Sequence, residues 1–277
     1  MGGRIVVTGG GGGLGLAMAR RYARDGWRVL IADLDAGTGE PAAAEIGATF
    51  QRCDVRSDED WVRLRDWCES EWGGLDVLVN NAGVSASGRI DRIELADWDW
   101  ILDINLKGVV RGCRTFVPVF TRQRSGHVVN IASMAGLMNL PGMASYNVTK
   151  AGVISLSETL RYELEPHRVG VTVVCPSFVK TNIGTSMRGP DPVLAALADR
   201  WIEGATLTPE QVADQVFHAV RTGRFRVVTH REARTVLWFK RWAPRFLVDR
   251  PIRRMWRRTT AKLERQDAEH AAGKETG

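Results

Sequence analysis

Residues 4–15 read Arg4-Ile5-Val6-Val7-Thr8-Gly9-Gly10-Gly11-Gly12-Gly13-Leu14-Gly15. A β-branched apolar run leads into five glycines and then into an amphipathic stretch, Leu14–Asp25. An apolar run without alternation is the pattern of a strand covered on both faces. Glycine alone lets a backbone adopt positive φ and come close to a pyrophosphate at little cost. The helix that follows aims its N-terminal N–H groups at those phosphates. A flexible turn is the plainer reading of the same glycines; their position between strand and helix favours the dinucleotide reading.

The same alternation continues outward. Arg28–Ala32, Ala48–Arg52, Leu75–Val79, His127–Ile131, Val171–Cys175 and Phe225–Thr229 read as further strands. Asp58–Trp72, Asp97–Phe120 and Ala144–Glu165 carry helical periodicity. Strand–helix alternation with uniformly apolar strands predicts an α/β fold, a doubly wound, Rossmann-type, mostly seven-stranded parallel sheet with helices on both faces. No linker divides residues 1–230, so these read as one domain, followed by an extension at 231–265 and a tail at 266–277 that reads as disordered or as a frayed helix end.

Composition sets the bounds. Of 277 residues, 44% are hydrophobic and 25% charged, which excludes a disordered chain or a fibre. No apolar run approaches the ~20 residues that span a bilayer. RIVVT begins at Arg4 without a preceding apolar signal region, so the expected location is cytoplasmic. Cys53, Cys68, Cys113 and Cys175 are scattered with no CxxC pair or Cys/His cluster, which predicts free thiols and no metal site. The net charge of +6 is uneven: residues 221–265 hold 15 Lys/Arg against 3 Asp/Glu. The rest of the chain is mildly acidic, so the high pI describes the extension and not the body.

Two constellations carry chemistry. The second strand runs into Ala32-Asp33-Leu34-Asp35, about 20 residues past the glycine loop. A carboxylate there suits the ribose hydroxyls of NAD and repels the 2′-phosphate of NADP. With Leu34 beside it and no cation in the loop, NAD is the expected cofactor and NADP the alternative. Asp33 as a simple strand-end cap is the competing reading. Downstream, Tyr146-Asn147-Val148-Thr149-Lys150 puts a phenol and an ammonium four residues apart on one helical face. A nearby cation lowers the phenol pKa from about 10 and makes Tyr146 usable as a general acid/base. Ser133, just past a strand, is placed to hold a substrate oxygen, or to cap the strand.

In order along the chain, these motifs resemble the short-chain dehydrogenase/reductase family over about residues 4–230. The matching stretches are TGGGGGLG at 8–15, Asp54-Val55, Asn80-Asn81-Ala82-Gly83, Asn105 within INLKG, Ser133, YNVTK at 146–150, and Pro176 to Thr181. The resemblance implies that Gly9, Gly13, Leu14 and Gly15 form the dinucleotide loop and that Asp33 and Leu34 meet the adenine ribose. Asp54 and Val55 would meet the adenine. Asn81, Ala82 and Gly83 would pass along the cofactor, with Pro176, Val179 and Thr181 at the nicotinamide. Tyr146 would be the acid/base, Lys150 its pKa-lowering and ribose-binding partner, Ser133 the substrate-orienting hydroxyl, and Asn105 the holder of a water between Lys150 and solvent. The all-glycine loop and Pro176-Ser177, where the family has Pro-Gly, depart from the pattern. The implied reaction is hydride exchange between NAD(H) and a secondary alcohol or ketone. The alternatives are an NADP-dependent carbonyl reductase and a non-catalytic dinucleotide-binding scaffold.

The segment Asn182–Thr208 reads as an apolar, mobile substrate lid, with Ile183, Met187, Val193, Leu194, Leu197, Trp201 and Ile202. It suggests a lipophilic alcohol or ketone, or simply packing on the body. The extension interleaves Trp238, Phe239, Trp242, Phe246, Leu247 and Trp256 with arginines. Packing on the body or on a second subunit competes there with peripheral membrane contact, and nucleic-acid contact ranks last. Pro244 and Pro251 predict two short helical pieces. The resemblance also implies a homodimer or homotetramer through the two long helices.

Overall fold

The computed structural model describes residues 2–180, 187–191, 193, 194, 196, 200, 204–230, 235, 238–240 and 242–275, with backbone alone at 245, 248 and 265–275. The strands are β1 (Arg4–Thr8), β2 (Arg28–Asp33), β3 (Thr49–Arg52), β4 (Val77–Asn80), β5 (Gly126–Ile131), β6 (Val169–Cys175) and β7 (Arg226–Val228). They form one parallel sheet in the order β3-β2-β1-β4-β5-β6-β7. The order reverses between β1 and β4, and that crevice is where an open α/β sheet binds ligands.

Both faces of the sheet are covered, which is why the strands are apolar throughout. Ile5 and Val7 pack with Met18 and Tyr22 of α1 (Gly13–Arg24) and with Val212 and Phe217 further along the chain. Val6 and Leu78 face the other way, onto Trp61, Phe116 and Val153. These belong to α3 (Asp58–Trp72), α5 (Gly108–Gln123) and α7 (Ala144–Leu164). Between them in the chain lie α2 (Ala36–Glu45), α4 (Leu95–Leu102) and α6 (Ala135–Met138), and α8 (Pro209–Arg221) and α9 (Arg245–Glu275) follow.

Local chemistry sets the boundaries. Ser57 accepts from the Asp60 N–H at the start of α3, and Gly73 closes that helix in the left-handed region. Thr208 and Gln211 form a reciprocal capping box ahead of α8. The fourth strand begins at Val77, later than its apolar run suggests, because both backbone groups of Leu75 are taken by the Gln123 side chain. The expected single helix Asp97–Phe120 is also corrected. It divides into α4, a π-helical turn at Asp103–Lys107, and α5. Asn105 lies in that turn, and π-turns inside helices often mark functional sites.

The extension corrects a second expectation. Pro244 precedes α9, but Pro251 lies within it, and the helix runs on to Glu275, the helical one of the two readings of the tail. An interior proline costs a helix roughly 3 kcal/mol. Here that cost is offset by packing downstream, where Thr259 and Leu263 are buried and Trp256 lies against Gly142.

Candidate active site

The loop after β1 is built for close approach. Gly9 and Gly13 have φ of 61° and 52°. A Cβ on Gly15 would lie 2.1 Å from the Gly9 carbonyl oxygen, and one on Gly9 would lie 2.9 Å from Ala82 Cα. At Gly12 a Cβ would meet nothing within 4 Å, so the loop opens on that side. No side chain caps the N-terminus of α1, and its N–H groups are left for an anion.

Asn81 braces this loop. Its Nδ2 donates to the carbonyls of Thr8 (2.9 Å) and Gly9 (3.1 Å). The Thr8 hydroxyl accepts from the N–H groups of Asn81 and Ala82. Asn81 therefore also holds the loop's main chain in place. Asp33 closes the other side, its Oδ2 accepting from the Gly11 N–H at 2.8 Å.

At the Asp54 end of the site, sequence reading missed Arg56. Its guanidinium grips Asp54 through Nε and Nη2, at 2.7 Å for the shortest bond, and holds that carboxyl below the usual carboxylate range. Its spacing of two residues from Asp54 was the available signal. Arg56 puts a cation on this wall of the cavity, but one already paired.

The catalytic candidates converge at the carboxyl end of β5. Tyr146 and Lys150 occupy the first two turns of α7, both buried. Burial pushes the Tyr146 phenol pKa up, and the neighbouring Ser133 hydroxyl, which lowers it, offsets that only in part. Lys150 Nζ donates to the Ile131 carbonyl at 3.0 Å and lies 5.7 Å from the Tyr146 ring centre. Burial pushes the ammonium down to about 8. Ser133 also accepts from the Ala135 N–H at 3.1 Å.

Asn105 also has a bracing role. Its side chain accepts from the Val84 N–H and donates to the Val84 carbonyl, both at 2.8 Å. One N–H and one lone pair of the amide are not used in these two bonds. Asn105 lies beside the site: a Cβ on Gly83 would lie 3.1 Å from Asn105 Oδ1 and 3.5 Å from Lys150 Nζ. Behind these groups, Asn80 donates to Asn130 (2.9 Å) and Asn130 to Ser157 (3.0 Å), fastening β4, β5 and α7 together in the interior.

One cavity of about 980 Å³ joins the two ends. Gly9, Gly13, Leu14, Gly15, Asp33, Leu34, Asp54, Val55, Asn81, Ala82, Gly83, Ser133, Tyr146, Lys150, Pro176 and Val179 all line it. Thr181 lies outside the described residues, as do Ile183, Leu197, Trp201 and Ile202 of the expected lid. Of that lid, Met187 lines the cavity and Leu194 is buried. Sequence reading also missed Trp100, Met134, Met138, Leu140 and Met143, which make the wall beyond Tyr146 apolar. Arg188 stacks over Trp100 at 4.1 Å and exchanges main-chain bonds with Ser85 and Ser87. An uncapped helix start, a loop with no room for a Cβ at Gly9 or Gly15 and a cavity of this volume fit a nicotinamide dinucleotide.

Elsewhere, the four cysteines are buried and their thiols pushed up to about 12. Among the described residues, no group of three or more His, Cys, Asp or Glu could hold a metal ion.

Comparison with known proteins agrees with this geometry. The short chain dehydrogenase family profile matches residues 4–191. A putatively named relative is the oxidoreductase SadH of Mycobacterium tuberculosis, 33% identical over 242 residues, covering 83% of this chain and 87% of that protein. The probable oxidoreductase EphD of the same organism is 34% identical over 78% of this chain, but the match spans only 39% of EphD's length. A Burkholderia phymatum short-chain dehydrogenase/reductase solved in complex with NAD superposes with a TM-score of 0.82 at 31% identity, covering 86% of this chain and 92% of that one. The Brucella melitensis 3-ketoacyl-(acyl-carrier-protein) reductase complexed with NADH gives 0.74 at 27% identity, over 82% and 96% of the two chains. With the profile spanning more than half the chain and the sheet order, loop and cavity in agreement, this protein belongs to the short-chain dehydrogenase/reductase family.

Proposed function

We propose that the protein exchanges hydride reversibly between NAD(H) and the carbinol carbon of a lipophilic secondary alcohol or its ketone. The observation that carries the proposal is that Ser133, Tyr146 and, one turn on, Lys150 line the same cavity as the glycine loop. The nicotinamide, when bound, supplies the hydride donor or acceptor. Everything else falls to the chain.

In the oxidation direction, Tyr146 Oη takes the hydroxyl proton as the carbinol C–H bond breaks. In reduction it returns a proton to the carbonyl oxygen. Burial keeps the phenol protonated near neutral pH, which suits the acid role directly. The base role relies on Lys150 in its charged form to favour the phenolate. Ser133 donates to the same substrate oxygen, stabilising charge as it develops there. The glycine loop and the start of α1 would hold the pyrophosphate, and the Asp33 carboxylate would accept from the adenine ribose hydroxyls. An anion at Asp33 disfavours a 2′-phosphate, which supports NAD over NADP, and Arg56 does not offset it because it is paired to Asp54. The NAD and NADH complexes of two structural neighbours are in keeping with this choice. The apolar wall at Trp100, Met138 and Met143 supports a lipophilic substrate. Exposed Val148 and Tyr162 on α7 leave that helix available for a homo-oligomer contact.

Tyr146→Phe removes the proton donor and keeps the ring. Turnover should fall by at least about 10³-fold while NADH binding stays near that of the parent. Near-parental turnover by this variant on an identified alcohol would refute the assignment.

A further inference from the structure

We propose that Trp238, Phe239, Trp242 and the exposed side chains of α9 from Phe246 to Arg258 form a docking surface for an anionic lipid bilayer, on which the protein lies without crossing. The surface begins with Trp238, Phe239, Trp242, Phe246 and Leu247, which are between 49% and 67% exposed. They make up five of the eleven exposed large hydrophobic residues among the described residues, gathered within ten positions. Scattered apolar residues on a surface need no explanation, but a contiguous aromatic group does.

The architecture of α9 explains why this face points outward. Ile252, Trp256, Thr259 and Leu263 recur at helical spacing and form the stripe that packs on the body. At 100° per residue, the opposite face carries Arg250, Arg254, Arg257 and Arg258, all exposed. Phe246 and Leu247 fall at the two margins of that same outward face, one turn earlier. An apolar, aromatic leading end followed by a basic face is the distribution of a helix lying at headgroup depth. Aromatic rings sit at the interface while guanidinium groups meet lipid phosphates.

The preceding turn is anchored to the body. Lys240 Nζ donates to the carbonyls of Leu137 and Met138 at the end of α6, and burial lowers its pKa. Trp238 and Phe239 meet edge to face at 5.4 Å. The aromatic group is therefore presented by a turn fastened beside the cavity wall at Met138. Charge selects the occupant: 15 Lys/Arg against 3 Asp/Glu over residues 221–265 match an anionic surface. No helix among the described residues is long and apolar enough to span a membrane.

The test is co-sedimentation of the full chain with vesicles of phosphatidylcholine, alone and mixed in equal parts with phosphatidylglycerol. Analytical ultracentrifugation without lipid runs beside it. The expected result is binding to the mixed vesicles, weaker on neutral ones and reduced by salt. Trp238→Ala/Trp242→Ala and Arg254→Gln/Arg257→Gln should each lower partitioning by about tenfold or more, with unchanged melting temperature. Absence of binding to the mixed vesicles, or binding that neither pair alters, overturns the proposal. Self-association that the tryptophan pair abolishes, without vesicle binding, would assign the face to a second copy of the chain and also overturn it. The assay does not depend on turnover, so its failure leaves the hydride-transfer reading intact.

Discussion

Gly15→Ala should weaken dinucleotide binding far more than its single methyl group suggests. The new Cβ would lie 2.1 Å from the Gly9 carbonyl oxygen and 2.6 Å from Asn81 Nδ2. Ordinary contact needs more than 3 Å, so either the loop or the start of α1 must move by about 1 Å. The loop cannot yield alone, because Gly9 is itself 2.9 Å, measured from its Cβ position, from Ala82 and its carbonyl is held by Asn81. A shift of that size misaligns the N–H groups facing a pyrophosphate. Charge-assisted hydrogen bonds contribute about 1.5–3 kcal/mol each. Losing two therefore corresponds to a hundredfold or greater rise in Kd, at roughly 1.4 kcal/mol per factor of ten. NADH fluorescence titration reads the binding, and circular dichroism melts show how much of the change is unfolding. A Gly15→Ala protein that melts like the parent and binds NADH within about threefold of it would refute the close-packing argument.

Three further outcomes follow from the geometry. Asn105→Ala leaves the part-buried Val84 N–H and carbonyl without their partners, so urea unfolding should show a loss of about 1–3 kcal/mol; a loss under about 0.5 kcal/mol would contradict the bracing role. The parent should lose stability as pH falls from 6.5 towards 4. The Thr172 hydroxyl donates to the Arg224 carbonyl and leaves only its oxygen for His127 Nε2–H, so the ring is buried neutral with its pKa pushed down to about 4. The unfolded chain binds a proton there that the native state refuses, a penalty of up to about 3 kcal/mol; in His127→Gln, chemical unfolding across that range should show a flatter pH dependence, and an unchanged slope would count against it. Replacing Asp33 with Ser and Leu34 with Arg should reverse the cofactor preference in competitive binding of NADH and NADPH; an unaltered ratio would place the specificity elsewhere.

Much of the fold was legible because β1, β4 and β6 are apolar on both faces, a pattern that has few explanations besides a covered parallel sheet. The glycine loop was legible because its steric demand leaves one residue type. What escaped the sequence depends on tertiary context. Nothing local announces that the Gln123 side chain takes Leu75 out of the ladder, or that a π-turn at Asn105 divides a long amphipathic run. Pro251 reads as a breaker until the stripe at Trp256, Thr259 and Leu263 is seen to hold its helix on the body. Residue types at the site were readable, but their electrostatics were not. Burial of Tyr146 and Lys150 is a property of the packed cavity, and it pushes the phenol pKa up and the ammonium down. Arg56 was overlooked because its importance lies in gripping Asp54, which only the folded turn reveals.

The most direct measurement is a binding titration of the purified protein with NAD+, NADH, NADP+ and NADPH. The proposed chemistry predicts saturable binding with NADH at least about tenfold tighter than NADPH, the difference arising from the carboxylate at Asp33. Failure of all four to bind would contradict hydride transfer as the protein's reaction.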